Sequence, residues 1–464
     1  MPTTQNLDPK GGSSSELFKN LIHFRLNPAN IHQSVSLARK IKAAEIQYSW
    51  TEKGKMDPLD LIFLESQYFP DDLLLLKTNS GSYSSLVNFK GDPAERSSIL
   101  HYQYSFKACA FGKGECCLDV VGRELNRLSP TDFQPLDKRM NEGKLKQIVI
   151  AVLDTGIVPG LIPEEYLWED PSVEKEGDFL DNVKNGVYGR NFVSESESPV
   201  KDEFGKMVLR DPVNLDITDD YPLLHGTMMC AYIINQFRDS EYAVKIMCLK
   251  THKSDGTGNL EDIYRAIHFA RYHEADFIHA SWVFPANMNE SYSILRDGIQ
   301  QAFFEKNTLL VTVSGNKDNE SANQHFFPAK FGDRAGNHPL GVLVAVTVSQ
   351  DHSTVSPFEV SDKTYVDFGV PCDKEEHGHY LFELPLKTNN GELYYQQGGS
   401  IAAAITTGFL ASRLPEMLYL NRKSRGKQGF LEYDSQSTFL VYPELADGII
   451  GGRVLNLAQN ASGL

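Results

Sequence analysis

One run of residues narrows the fold more than any other. Gln147-Ile-Val-Ile-Ala-Val-Leu153 is apolar from its second residue to its last, with no polar alternation. A strand with one wet face alternates, whereas a strand buried on both faces does not. The run therefore predicts an interior strand of a parallel sheet. It ends in Asp154-Thr155-Gly156. That places a carboxylate at the C-terminal end of a central strand, where open α/β sheets gather their reactive groups.

The chain downstream supports this class. It alternates strand 243–249, helix 260–272, strand 276–282, helix 291–306, strand 308–313 and strand 341–348. Such alternation indicates βαβ units, hence a mostly parallel central sheet with helices on both faces. The acidic, turn-rich span 160–222 reads as an irregular insertion, and 372–392 as a second surface excursion.

Upstream the pattern is mixed. Residues 1–15 are rich in Pro, Gly, Ser and Thr and read as a disordered tail. Residues 16–27 and 31–47 read as helices, the second from Ile31, Val35, Leu37, Ile41 and Ile46 near helical spacing. Asp57-Pro58 reads as a helix start leading into Leu59–Leu64. Segments 73–77 and 83–89 read as strands, Tyr102–Phe106 alternates, and 118–128 reads as helical. The charged stretch 140–147, with Gly143, suits a boundary. The expected organisation is a tail (1–15), a mixed, partly helical N-terminal region without a recognised motif (16–140), and an α/β domain (145–464).

The net charge of −16, with no long basic run to offset it, argues against nucleic acid as a partner. No apolar run is long enough to span a bilayer, so no membrane partner is expected either. The N-terminus Met-Pro-Thr-Thr-Gln-Asn-Leu lacks the apolar core of a leader. The expected location is cytoplasmic, or secreted if a leader precedes this numbering. The six cysteines, Cys109, Cys116, Cys117, Cys230, Cys248 and Cys372, are sparse and mostly in apolar segments, as reduced core thiols are. Cys109, Cys116 and Cys117 have no histidine or fourth cysteine at ligand spacing, so no metal is expected there.

Four stretches carry chemistry, and each has a plain structural reading of its own. Asp154-Thr-Gly also occurs in aspartic proteases, but no second such motif is present; alone it reads as a strand-end Asx turn. His225-Gly-Thr-Met-Met-Cys-Ala-Tyr-Ile-Ile234 puts a histidine at the start of an apolar helix, where the dipole disfavours its cation. Leu309-Leu-Val-Thr-Val-Ser-Gly-Asn316 is a buried strand ending in an amide, which can donate to an oxyanion or simply turn the chain. Gln396-Gln-Gly-Gly-Ser400 opens the apolar run 401–412, so Ser400 is either a helix cap or a nucleophile at a helix N-terminus.

In their order, these stretches resemble the subtilisin-like serine protease family (subtilases, peptidase family S8) across roughly residues 145 to 464. The resemblance implies a three-layer subtilisin-like fold, with Asp154, His225 and Ser400 as the catalytic triad and Asn316 as the oxyanion donor. Softer matches are Val244–Lys250 with Asp255-Gly-Thr-Gly-Asn-Leu260, Phe327-Pro-Ala-Lys330, Val366-Asp-Phe-Gly-Val-Pro371 and Gly451-Gly-Arg-Val-Leu-Asn456. Several positions depart from the family pattern. Gly399 stands for the usual Thr, Ala404 for Pro, and Met228 for a frequent second histidine. In the substrate-binding segment, Ser281-Trp282-Val283 stands for Ser-Leu-Gly, and its bulk would narrow or block a groove.

The implied activity is a serine endopeptidase acting on proteins or peptides, with no required cofactor. The family often binds structural calcium through loop oxygens, but the resemblance assigns no ligands here. Residues 16–140 are a candidate intramolecular regulator or pro-region. The competing reading is a catalytically weak or inactive subtilase-fold module used for binding or signalling. An unrelated hydrolase or nucleotide binder is disfavoured by the absence of Gly-x-Ser-x-Gly, of Gly-x-Gly-x-x-Gly after a strand, and of a phosphate loop.

Overall fold

The computed structural model describes residues 128–193, 214–286, 293–317, 325–333, 341–413 and 438–457, together with six strands outside these spans: β1 (Leu17–Leu26), β2 (Asp60–Leu64), β3 (Leu73–Lys77), β4 (Ile99–Cys109), β7 (Val200–Lys201) and β8 (Met207–Leu209). The chain divides into two units. One holds residues 1–107, 194–213 and 291–295, and the other holds 108–193, 214–290 and 296–464.

The larger unit is organised by a nine-stranded sheet. Its members in chain order are β5 (Lys146–Asp154), β6 (Gly189–Asn191), β9 (Tyr242–Lys250), β11 (Phe277–Ala280), β13 (Leu309–Val313), β15 (Val342–Val348), β16 (Phe368–Pro371), β20 (Phe439–Val441) and β21 (Arg453–Leu455). The spatial order is β20-β21-β16-β15-β13-β11-β5-β9-β6. Every pairing is parallel except β20 with β21. The apolar run Gln147–Leu153 lies in β5, flanked by β9 and β11. The chain passes to β9 on one side and then returns to β11 on the other, so the strand order reverses around β5. A reversal of this kind opens a crevice at the carboxyl ends of the strands, and Asp154 ends β5 inside it.

Side chains of β5 alternate between faces. Ile148, Ile150 and Val152 share one buried apolar cluster with Met228, Ile233, Ala403 and Phe409. Ala151 and Leu153 are as fully buried but lie outside that cluster, on the other face. The first cluster joins two helices, α2 (His225–Asn235) and α5 (Gly399–Arg413), which pack against each other. Helix α5 lies across β11, β13, β15 and β16, while α2 lies on β5. Helix α3 (Leu260–Tyr272) also touches β5, and its buried Ile263 and Ile267 stand outside the first cluster. Helix α4 (Ser293–Lys306) leads into β13.

The smaller unit differs from expectation. Residues 16–27 were expected to be helical, yet Leu17–Leu26 is a strand, paired antiparallel with β3 and β4. Its second half alternates Ile22, Phe24 and Leu26 with His23 and Arg25, and this period of two wins over the helical spacing. The helix expected after Asp57-Pro58 is likewise β2, antiparallel to β3 and parallel to β8. The order of these strands is β4-β1-β3-β2-β8-β7. The expected helix 31–47, the strand 83–89 and all but the last residue of the expected helix 118–128 lie outside the described residues.

The span 160–222 is less irregular than expected. It carries α1 (Phe179–Lys184) and β6, which edges the large sheet, and its residues 194–213 belong to the smaller unit. The excursion at 372–392 supplies β17 (Lys374–Glu376) and β18 (His379–Glu383), which pair antiparallel with each other. Strand β19 (Tyr395–Gln397) then joins β18. The remaining short strands are β10 (Thr257–Asn259), β12 (Phe284–Ala286) and β14 (His325–Phe327), the last two paired antiparallel. Cys230, Cys248 and Cys372 are buried free thiols. Among the described residues, no helix is long and apolar enough to cross a membrane.

Candidate active site

Asp154 and His225 meet at the crevice. The carboxylate Oδ1 accepts a hydrogen bond from Nδ1 of His225 at 2.7 Å and another from the Thr155 N–H at 2.7 Å. A proton on Nδ1 leaves Nε2 as the accepting nitrogen of a neutral imidazole. Burial alone would push Asp154 toward protonation. The nearby His225 imidazole, as charge and as hydrogen-bond donor, outweighs it and holds the carboxyl below its ordinary value.

Two glycines make this approach feasible. A Cβ on Gly226 would lie 2.4 Å from the Gly156 carbonyl oxygen, so the helix start and the strand end touch backbone to backbone. Gly156 is at φ +118°, and a Cβ there would lie 2.4 Å from the Ile217 carbonyl oxygen. The Thr155 hydroxyl accepts from the Gly226 N–H at 2.9 Å. The buried Asp219 carboxylate takes the Thr227 N–H at 3.0 Å and its hydroxyl at 2.8 Å. Burial raises Asp219 to about 6 against those hydrogen bonds.

Ser400 is the second residue of α5 and is half-buried, while Ile401 to Ser412 are buried almost throughout. Its carbonyl oxygen accepts from the Ser281 hydroxyl at 3.2 Å. Ser281 Oγ also lies 2.6 Å from Nε2 of the fully buried His279, whose Nδ1 is 3.0 Å from the Thr407 hydroxyl. Thr407 in turn donates to the Ala403 carbonyl at 2.8 Å. Burial pushes His279 down to about 3, so its ring is neutral. Two hydroxyls and one neutral ring then offer three protons for four contacts, so either Ser281 or Thr407 shares its proton, according to the tautomer of His279.

Asn316 follows Gly315, which sits at φ +99° after β13. It is partly exposed and bridges antiparallel to Glu359. The Val360 N–H donates to the Gly315 carbonyl at 2.8 Å, and the Lys317 N–H to Phe358 at 2.8 Å. Trp282 and Val283, expected to crowd a groove, are buried side chains, with exposures of 0% and 3%. The Trp282 ring lies 5.7 Å from that of Phe284 and 6.3 Å from that of His252.

The structure thus joins Asp154 to His225 directly and seats Ser400 on the helix that packs against the one carrying His225. Sequence reasoning missed Asp219, His279 and Glu359. Asp219 lies six residues before His225 in a stretch that read as loop. His279 sits in an otherwise apolar strand, where a lone polar residue was the available signal. Glu359 gave no signal. Among the described residues, no group of three or more His, Cys, Asp or Glu is placed to hold a metal ion.

Compared with known families, residues 145–418 match the subtilase family. No curated protein matches the chain. Among solved structures, the epidermin leader peptide processing serine protease EpiP from Staphylococcus aureus aligns over 96% of this chain and 99% of its own, at 16% identity and a TM-score of 0.51. Fervidolysin from Fervidobacterium pennivorans, a keratinolytic enzyme related to subtilisin, aligns over 98% of this chain and 62% of its own, at 14% identity and a TM-score of 0.50. At these identities the likeness is one of fold.

Proposed function

Since the chain belongs to the subtilase family of serine proteases, we propose that it is an endopeptidase that hydrolyses peptide bonds of proteins or peptides through Asp154, His225 and Ser400. Ser400 Oγ attacks the scissile carbonyl, and His225 Nε2 takes its proton and later returns it to the leaving amine. Asp154 holds the imidazole tautomer and stabilises the cation that forms. The Asn316 amide and the Ser400 backbone N–H receive the oxyanion at the N-terminus of α5, where the helix dipole adds positive potential. Water then releases the acyl group from Ser400 by the same route. This chemistry needs no cofactor.

The observation that carries the reading is the 2.7 Å bond between Asp154 and His225, with a half-buried serine in the first turn of the adjoining helix. The test is covalent labelling of the purified chain by a fluorophosphonate probe, with Ser400→Ala as control. Labelling of the wild type and none of the variant is expected. Equal labelling of wild type and variant, or no labelling of either the full chain or one beginning near residue 141, sinks the assignment.

Residues 16–140 extend the proposal. Residues 16–107, with β1, β2, β3 and all but the last two residues of β4, belong to a unit separate from the one bearing the triad, whereas 108–140 belong to the triad's own unit; the separate part suits a regulatory segment. A chain beginning near residue 141 is expected to label faster than the full chain; equal rates argue against restraint.

A further inference from the structure

The departure at Gly399 has a counterpart in space. A Cβ built on Gly399 would lie 3.0 Å from Oε2 of Glu359 and 3.2 Å from its Cδ. Gly399 lies outside the left-handed region, so no backbone strain calls for glycine there. What occupies the room for a side chain is the carboxyl of Glu359.

That carboxyl is placed firmly. Glu359 is 3% exposed, and its Oε2 accepts the Thr347 N–H of β15 at 2.9 Å. Its backbone bridges to Asn316, and the flanking bonds Lys317 to Phe358 and Val360 to Gly315 zip the two segments together. One residue therefore touches three parts of the site's frame: the loop carrying Asn316, the strand β15 beneath α5, and the residue immediately before Ser400.

We propose that Glu359 is a positioning residue that takes the place of the missing side chain at 399 and locks the N-terminus of α5, with Ser400, to the loop that carries Asn316. The lock matters because Gly398 and Gly399 together leave the entry to α5 with little restraint of its own. A nucleophile displaced by about 1 Å can cost roughly a hundredfold in rate. Gly399 and Glu359 form an exchangeable pair: a larger residue at 399 calls for a smaller one at 359. The catalytic consequence rests on the endopeptidase reading above; the packing does not.

The experiment is a double-mutant cycle in the full chain with Glu359→Ala, Gly399→Thr and both together, plus Glu359→Gln. The fluorophosphonate labelling rate is measured as its maximal value and its half-saturating probe concentration, and each variant's melting temperature is recorded. Glu359→Ala is expected to lower the maximal rate about tenfold with half-saturation unchanged, and Gly399→Thr to lower it up to about a hundredfold. The double variant should recover to the level of Glu359→Ala or better. Glu359→Gln keeps the shape and an acceptor for Thr347, and should stay within about threefold of wild type. Single effects that multiply in the double variant overturn the proposal. So does a Glu359→Ala chain that melts lower yet labels at the wild-type rate. If neither the wild type nor a chain beginning near residue 141 is labelled, the endopeptidase reading fails, and the melting temperatures still decide the lock: coupled values uphold it and additive values overturn it.

Discussion

Around Asp154 and His225 the chain is closed up by its own motif residues. Gly156 meets Gly226, Thr155 receives the Gly226 N–H, and Asp219 holds Thr227. Around Ser400 the support comes from segments far away in sequence. Ser281 and His279 reach the Ser400 carbonyl and Thr407, and Glu359 fills the space beside Gly399. The acid–base half is built from short-range neighbours of its reactive groups. The nucleophile half hangs on a helix whose position is set from outside. Damage to the first half should therefore appear in folding, and damage to the second in rate.

The reactive groups themselves bound the scale. In subtilisin, loss of the serine or the histidine costs about a millionfold in kcat. Both losses are expected to do the same here, checked by peptide hydrolysis and labelling: Ser400→Ala with melting temperature little changed, and His225→Ala with a lowered one, because the buried Asp154 carboxylate loses its partner. Asn316→Ala should follow, at about a hundred- to a thousandfold in kcat with KM nearly constant, because the amide is needed only once charge develops on the oxygen. A large rise in KM would instead place Asn316 in ground-state binding and remove it from the oxyanion role.

Two supporting positions tell the halves apart. Gly226→Ala drives a methyl to within 2.4 Å of the Gly156 carbonyl, so strand end and helix start must part. A loss of about 1–3 kcal/mol in unfolding free energy is expected, along with activity. His279→Ala should do the reverse: it leaves Ser281 to the Ser400 carbonyl alone and frees Thr407 from the strand, for roughly a tenfold fall in kcat at constant KM. If Gly226→Ala melts like wild type while His279→Ala unfolds, the two halves are held in the opposite way to that argued.

This difference also explains what could be read from the chain. Asp154, His225, Asn316 and Ser400 stood out because each ends or opens an apolar element beside a glycine. Local pattern is enough to see that. The central strands were legible for the same reason, since burial on both faces leaves an unbroken apolar run. Glu359 and His279 leave no such trace. Their roles depend on partners 40 and 128 residues away, Gly399 and Thr407, and no periodicity encodes a contact at that range. The strand Leu17–Leu26 failed differently. Its leucines and two phenylalanines suit both periods, and pairing with β3 and β4 decided between them.

The smallest effect tests the electrostatics of the acid–base half. Asp154 and Asp219 are both buried, yet they shift in opposite directions. Asp154 is lowered because the His225 imidazole outweighs burial, whereas Asp219 is raised to about 6 because burial outweighs the Thr227 bonds and Asp154 adds a like charge. For Asp154 the folded value lies below the unfolded one. Its stabilisation is present above the ordinary carboxylate range and is lost as pH falls through the folded value. Asp219 has the opposite sign. Its contribution is full below about 3.9, the ordinary aspartate value, and is lost as pH rises through about 6. Between about pH 5 and 7 the wild type should therefore lose roughly 1 kcal/mol that Asp219→Asn, which cannot ionise, does not lose. Denaturant midpoints of the two proteins across that range read the difference directly. Parallel curves would mean that Asp219 is ionised in both folded and unfolded chains. The Thr227 bonds would then outweigh its burial, and the order of effects around His225 would have to be reversed.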